Sequence, residues 1–187
     1  PEKKFLFLYI FDFNSSVVRK NPMAAVQAFK QAFEPNDNTV GLVLKTMNTK
    51  PNNPEWQAFL KECQTDKRIQ LITETLDRPE VLGLINACDA YVSLHRAEGF
   101  GRTLAEAMLL GKPVVACWMG DDSVREARSL LNAKPLPSFR TPEAAVDAFG
   151  NIASFYQNQQ LLQQTPPPRS TLAQPDLEGA RLLIEGV

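Results

Sequence analysis

The chain holds 187 residues, a size suited to one compact domain with an added element. Its 44% apolar and 22% charged residues exclude disordered, collagen-like and small disulfide-stapled classes. Twenty Lys and Arg against 21 Asp and Glu leave a net charge of -1, so no bulk field draws nucleic acid or an anionic membrane, and any anion site must be assembled locally.

Residues 5–11 (FLFLYIF) are an unbroken apolar and aromatic run, the pattern of a parallel-sheet strand covered on both faces. Residues 1–4 lead into it with no signal-peptide pattern, and no run approaches the ~20 apolar residues of a membrane helix. A loop follows, and Asn21-Pro22 opens a helix whose Ala25, Ala28 or Phe29, and Ala32 or Phe33 recur at helical spacing until Glu34-Pro35. Residues 39–44 predict a second strand, and 54–63 a helix with Trp56, Phe59, Leu60 and Cys63 on one face. A short strand at 69–72, a helix at 79–87, a strand at 89–94, a helix at 102–110 ending at Gly111, and a strand at 113–117 continue the alternation. Strand-helix repetition of this kind predicts an α/β, doubly wound parallel sheet of Rossmann-like type.

Beyond residue 130 the pattern weakens, and seven prolines fall there, among them Pro166, Pro167 and Pro168. Residues 142–164 predict one helix or two, and a short helix is placed at 177–184. The expected division is one Rossmann-like domain over 1–164 and a proline-rich tail over 165–187. Cys63, Cys88 and Cys117 form no C-x-x-C pair and have only His95 to help them, so a structural zinc site is excluded. Buried reduced thiols and a cytoplasmic chain are expected.

The densest chemistry lies in residues 95–108, HRAEGFGRTLAEAM, between a predicted strand and the helix after it. Ligands of open parallel sheets bind beyond the carboxyl ends of the strands, and free amides at a following helix start favour phosphate. Gly99 and Gly101 permit close backbone approach there. Thr103 and Glu106 share one face of the helix, while Leu104, Ala107 and Met108 suit the sheet. A carboxylate at Glu106 accepts the paired hydroxyls of a ribose well, although from spacing alone Glu98 and Glu106 also read as a helix-start acid and a surface acid. Likewise Arg19-Lys20 reads as a solvated basic pair, and His95 as a residue that lines the site rather than reacts. Residues 11–20 contain no Gly, which argues against a dinucleotide site after the first strand.

Residues 98–116, EGFGRTLAEAMLLGKPVVA, resemble the nucleotide-sugar-dependent glycosyltransferases of the two-domain GT-B fold, in the glycogen-synthase-like (group 1) retaining group. That group carries a Glu, seven residues and a second Glu within E-G-F-G-x-x-x-x-E-A-M-x-x-G-x-P-V, which residues 98–114 follow. The likeness extends over roughly residues 4–130, the donor-binding half of the architecture. It implies that Glu106 binds the donor ribose, that Glu98 contacts hydroxyls of the transferred sugar, and that the backbone at Gly99, Phe100, Gly101, Thr103 and Leu104 holds sugar and diphosphate. Lys20 matches the Lys that neutralises the leaving diphosphate. The family's upstream Arg falls on Asn14 or Ser15, so Arg19 is expected to substitute from another direction.

The resemblance therefore implies a donor-binding domain with a nucleotide-diphosphate sugar as substrate, no metal, no other cofactor, and retention of configuration at the sugar. It also implies a missing N-terminal acceptor domain as partner, without which the isolated chain does not transfer sugar. No role is carried onto residues 117–123, where the chain departs from the family pattern. A sugar-nucleotide epimerase or a phosphorylase on the same architecture, or a non-catalytic nucleotide-binding or interaction module, is the alternative.

Overall fold

A computed structural model describes residues 4–98, 101–117, 119–120, 122, 124–133, 138–164 and 176–186. The chain divides into two compact units, Pro1–Val114 and Val115–Val187.

In the first unit, four parallel strands, β1 (Phe5–Asp12), β2 (Val40–Met47), β3 (Ile69–Ile72) and β4 (Ala90–Tyr91), lie in the order β3-β2-β1-β4. Four helices connect them, α1 (Val17–Lys20), α2 (Pro22–Ala32), α3 (Pro54–Gln64) and α4 (Arg78–Ala87), and α5 (Arg102–Leu109) follows β4. The unbroken apolar run of β1 has its explanation in the two cores it serves. Tyr9, Phe11 and Phe13 pack with Phe29 of α2 and with Trp56 and Phe59 of α3. Leu8 and Ile10 pack on the opposite face with Val43, Ile85, Cys88 and Ala107. Edge-to-face rings lock the first core, Phe11 on Phe59 at 5.6 Å and Phe13 on Trp56 at 5.2 Å. The expected α/β doubly wound sheet is the fold of this unit.

Local capping fixes where the helices begin. The Asn53 side chain accepts the Trp56 amide at 3.0 Å with Pro54 in the first turn, and Asp77 and Glu80 form a reciprocal capping box on α4. Three expectations are corrected. The loop after β1 contains a helical turn, α1, because the Ser16 side chain caps the Arg19 amide. Strand β2 continues to Met47, carrying Lys45 and Thr46, which are fully buried despite their polarity. The strand expected over 89–94 shrinks to two residues, since the Asp89 carboxylate takes the Leu6 amide at 2.9 Å and the Arg96 amide turns to the Arg19 carbonyl at 2.8 Å.

In the second unit, β5 (Ala116–Cys117) pairs in parallel with β6 (Ser138–Phe139), a strand the sequence did not signal. The strand expected at 113–117 is thus short and belongs to this small sheet. Helices α6 (Arg125–Asn132), α7 (Pro142–Leu162) and α8 (Leu177–Glu185) complete the unit. Residues 142–162 form one helix, capped by the Thr141 hydroxyl. The triple proline lies outside the described residues.

A buried guanidinium ties the first unit together. Arg68 is 6% exposed, donates to the carbonyls of Glu34 at 2.6 Å and Asp37 at 3.2 Å, and pairs with the Asp66 carboxylate at 2.7 Å. These hydrogen bonds hold the Asp66 carboxyl below the usual carboxylate range. Arg68→Ala strands two carbonyls and a carboxylate, and the expected loss is about 3 kcal/mol of unfolding free energy in a urea titration. A loss below about 1 kcal/mol, the size of an exposed pair, would contradict this anchoring role.

Candidate functional site

The site begins at the carboxyl end of β1. Beyond Asp12 the chain enters α1, whose last turn carries Arg19 and Lys20, and Asn21 leaves it in the left-handed region at φ 49°. The backbone of this turn is held from two sides. The hydroxyl of buried Tyr9 donates to the Lys20 carbonyl, and the Arg96 amide donates to the Arg19 carbonyl. Burial raises the Tyr9 hydroxyl pKa well above its ordinary value, so it remains a donor. The side chains of Arg19 and Lys20 are thereby presented from a fixed backbone.

Segment 94–98 meets them. Arg19 Nη1 donates to the Ala97 carbonyl at 3.0 Å, Lys20 Nζ pairs with Glu98 Oε1, and His95 Nδ1 lies 2.6 Å from the same oxygen. The His95 ring stands edge-on to Tyr9, with centroids 5.3 Å apart. Burial alone would raise the Glu98 carboxyl, but the Lys20 hydrogen bond and charge, with His95 and Arg19, outweigh it and hold it below the usual range. Burial, joined by the Lys20 and Arg19 charges, outweighs the pull of Glu98 on the imidazole and lowers the His95 pKa. At neutral pH the cluster therefore contains a carboxylate, an ammonium, a guanidinium and a neutral imidazole.

Helix α5 supplies the second carboxylate. It starts from Gly101 at φ 68°, a conformation glycine adopts freely, and no side chain caps it, which suits its first amides to an anion. Thr103 Oγ1 and the Tyr91 hydroxyl share a hydrogen bond of 2.7 Å, and Glu106 is 6% exposed with Arg78 Nη2 at 3.7 Å. Burial pushes the Tyr91 hydroxyl up to about 12, and Glu98 and Glu106 both add to the rise. Tyr91 therefore lies within electrostatic reach of both carboxylates.

Among the sequence-expected residues, the structure brings Arg19, Lys20 and Glu98 into one cluster and places Gly101, Thr103, Leu104 and Glu106 on the first turns of α5. Gly99 and Phe100 lie outside the described residues. One helix-face assignment is corrected. Met108 is 39% exposed, whereas Glu106 and Ala107 are both buried and Leu110 packs on the Leu8 side of the sheet. Residues 103, 106, 107 and 110 follow the i, i+3, i+4, i+7 stripe, so Glu106 belongs to the buried side. Sequence reasoning missed Tyr9, Tyr91 and Arg78, and it gave His95 no partner although the i, i+3 spacing to Glu98 was available. Among the described residues, no group of three His, Cys, Asp or Glu side chains is placed to hold a metal ion.

The single histidine allows a clean pH test. Its folded pKa lies below the unfolded value of about 6.5, so the unfolded chain takes up this proton first as pH falls. Its stabilising contribution is complete above about pH 7 and is lost as pH falls toward the folded pKa. Glu98 and Asp66, with lowered carboxyl pKa values, lose theirs only at more acid pH, below the ordinary carboxylate value. The melting temperature of the wild type should therefore drop between about pH 7.5 and 5, and His95→Asn should flatten that limb. Parallel curves for the two proteins would show that His95 is not buried neutral.

Comparison with known proteins identifies the family. The model of the family Glycosyl transferases group 1 matches residues 5–153. Among solved structures, Anabaena Alr3699/HepE, in complex with UDP and glucose, is similar at 20% identity and TM-score 0.53, covering 84% of this chain and 40% of that one. The N-terminal domain of a Candida albicans trehalose-6-phosphate phosphatase is similar at 14% identity and TM-score 0.50, over 78% of this chain and 37% of that one. The C-terminal domain of the group 1 family protein LpcC from Francisella tularensis aligns at 18% identity and TM-score 0.47, over 85% and 78%. The chain spans 32%, 40% and 33% of the first three structures it matches. No helix among the described residues is long and apolar enough to cross a membrane. With the family model matched over most of its length, the chain belongs to the group 1 glycosyltransferases.

Proposed function

We propose that this chain is the donor-binding half of a retaining glycosyltransferase and takes a nucleotide-diphosphate sugar at the carboxyl edge of β1 and β4. The observation that carries the reading is the joining of Lys20, Glu98 and His95 in one cluster, with Glu106 buried on the adjoining helix. A buried carboxylate whose described ion pair is a 3.7 Å contact to an exposed arginine retains acceptor capacity for a ribose diol. HepE, similar in fold, was solved with UDP and glucose, which is consistent with a donor of this class.

In this reading Glu106 accepts the ribose hydroxyls and Glu98 those of the transferred sugar. The backbone at Gly101, Thr103 and Leu104 faces sugar and diphosphate, the role that the family resemblance also gives Gly99 and Phe100. As the bond between the anomeric carbon and the diphosphate oxygen breaks, negative charge grows on the leaving group. Lys20 and Arg19 stabilise that charge more in the transition state than in the ground state, which lowers the barrier. The proposal requires no metal for this step. The acceptor is presented by a separate domain, and holding it against the anomeric carbon is worth as much as ~7–11 kcal/mol of barrier, so the 187 residues alone bind donor without transferring it.

Calorimetry of the 187-residue chain against uridine, guanosine and adenosine diphosphates tests the reading. One of them should bind, and Glu106→Ala should weaken it by roughly 1.5–3 kcal/mol with an unchanged melting temperature. A folded chain that binds none, or a Glu106→Ala variant that binds normally, would overturn the assignment. Labelled donor incubated with the chain and mixed lipid, glycan and protein acceptors should give no product, and robust transfer would refute the half-enzyme reading.

A further inference from the structure

We infer that His95 is a positioning residue for Glu98: its Nδ1–H holds the Glu98 carboxylate in place for the sugar once Lys20 has turned to the diphosphate. The inference rests on the proposed function for what Glu98 and Lys20 touch, while the His95–Glu98 pairing stands on geometry alone.

Glu98 Oε1 is shared by two donors, Lys20 Nζ and His95 Nδ1, the latter at 2.6 Å. These donors differ in freedom. Lys20 is a long side chain on a backbone fixed by Tyr9, and its ammonium can leave Glu98 for a stronger anion without moving α1. His95 has no such alternative. Its side chain is 5% exposed, its ring is braced edge-on against Tyr9, and Nε2 is buried with no hydrogen-bond partner among the described residues. A buried nitrogen without a partner is uncommon and is retained where the rest of the group has a task. Since a carboxylate only accepts, the proton resides on Nδ1, and Nε2 faces the interior as a lone pair.

A diphosphate entering beside α1 would compete with Glu98 for Lys20. Without a second donor, the Glu98 carboxylate would then be partly buried and unpaired just when it must face sugar hydroxyls. His95 removes that conflict. The groups that face the imidazole are Lys20, Arg19, Glu98 and Tyr9; burial first, and then the two cations, disfavour a second proton, so the ring orients the carboxylate rather than exchanging a proton with substrate.

Because His95 is the only histidine, nitrogen-15 spectra of the 187-residue chain report it without assignment ambiguity. At pH 7.5 the ring should be neutral with its proton on Nδ1, and a proton on Nε2 or an imidazolium would overturn the inference. His95→Asn keeps an N–H where Nδ1 stands, whereas His95→Gln places its amide toward the Nε2 side. Carbon-13 titration of the Glu98 carboxyl, which needs no ligand, should show a pKa above that of the wild type in His95→Gln and one close to that of the wild type in His95→Asn. Equal effects of the two substitutions would contradict positioning.

The three nucleoside diphosphates, each alone and as its glucose conjugate, complete the test. In His95→Gln, affinity for the diphosphate alone should persist while the conjugate loses about tenfold, the equivalent of one hydrogen bond to a charged group. On a Glu98→Gln background the same substitution should cost almost nothing more. An equal loss on both backgrounds would mean that His95 acts through the fold instead. Binding of no nucleotide by the wild type would dismiss the donor-site reading and with it the sugar-facing part of this inference, leaving the tautomer and the Glu98 titration to decide the pairing itself.

Discussion

Strand β1 is buried on both faces, and this constraint arranges the rest of the first unit. A strand in that position needs aromatic and aliphatic side chains in alternation on two cores, as Tyr9, Phe11 and Phe13 on one side and Leu8 and Ile10 on the other supply. The same burial forces the Tyr9 hydroxyl to find a partner inside the protein, and it finds the Lys20 carbonyl. A packing requirement in the sheet thus becomes a positional requirement on the first basic residue of the site. The ring edge of His95 rests on that tyrosine as well, so both partners of Glu98 are braced by one core residue.

Charge balance explains why the cluster is stable without a ligand and still able to receive one. Glu98 is partly buried, and an unpaired carboxylate there would be costly, so Lys20 and His95 satisfy it. Glu106 is more deeply buried and less well paired, with only the long contact to exposed Arg78 among its described ion pairs. The two carboxylates therefore differ in character. One is shared between a lysine that can leave and a histidine that stays, and the other is held by the helix stripe that packs Ala107 and Leu110 on the sheet.

Much of this was legible in the letters. Continuous apolar strands alternating with helices that open on prolines pointed to an α/β doubly wound parallel sheet, and the architecture agrees. What escaped had specific physical causes. Lys45 and Thr46 look like strand-ending residues, yet the strand continues because Lys45 Nζ finds the Thr46 carbonyl at 2.7 Å inside the protein. Residues 92–94 look like strand but fall outside β4, since the Arg96 amide just beyond them is taken by the Arg19 carbonyl, a long-range partner that no local pattern encodes. Met108 looked core-facing because it is apolar, whereas helix periodicity gives the buried place to Glu106. The two-residue strand β6 was too short to leave a period in the sequence.

The proposed seat of the nucleoside diphosphate is the carboxyl edge of β1 and β4, lined by α1 and the start of α5. Backbone amide shift mapping of the labelled chain, titrated with the nucleoside diphosphate that binds, tests it directly. The account predicts that the largest shifts fall on residues 18–21, 94–98 and 101–106, with the His95 ring moving in step. Shifts gathered instead on the groove bordered by Phe13, Lys50 and Glu55, or along the β3 edge near Trp56 and Thr73, would contradict it.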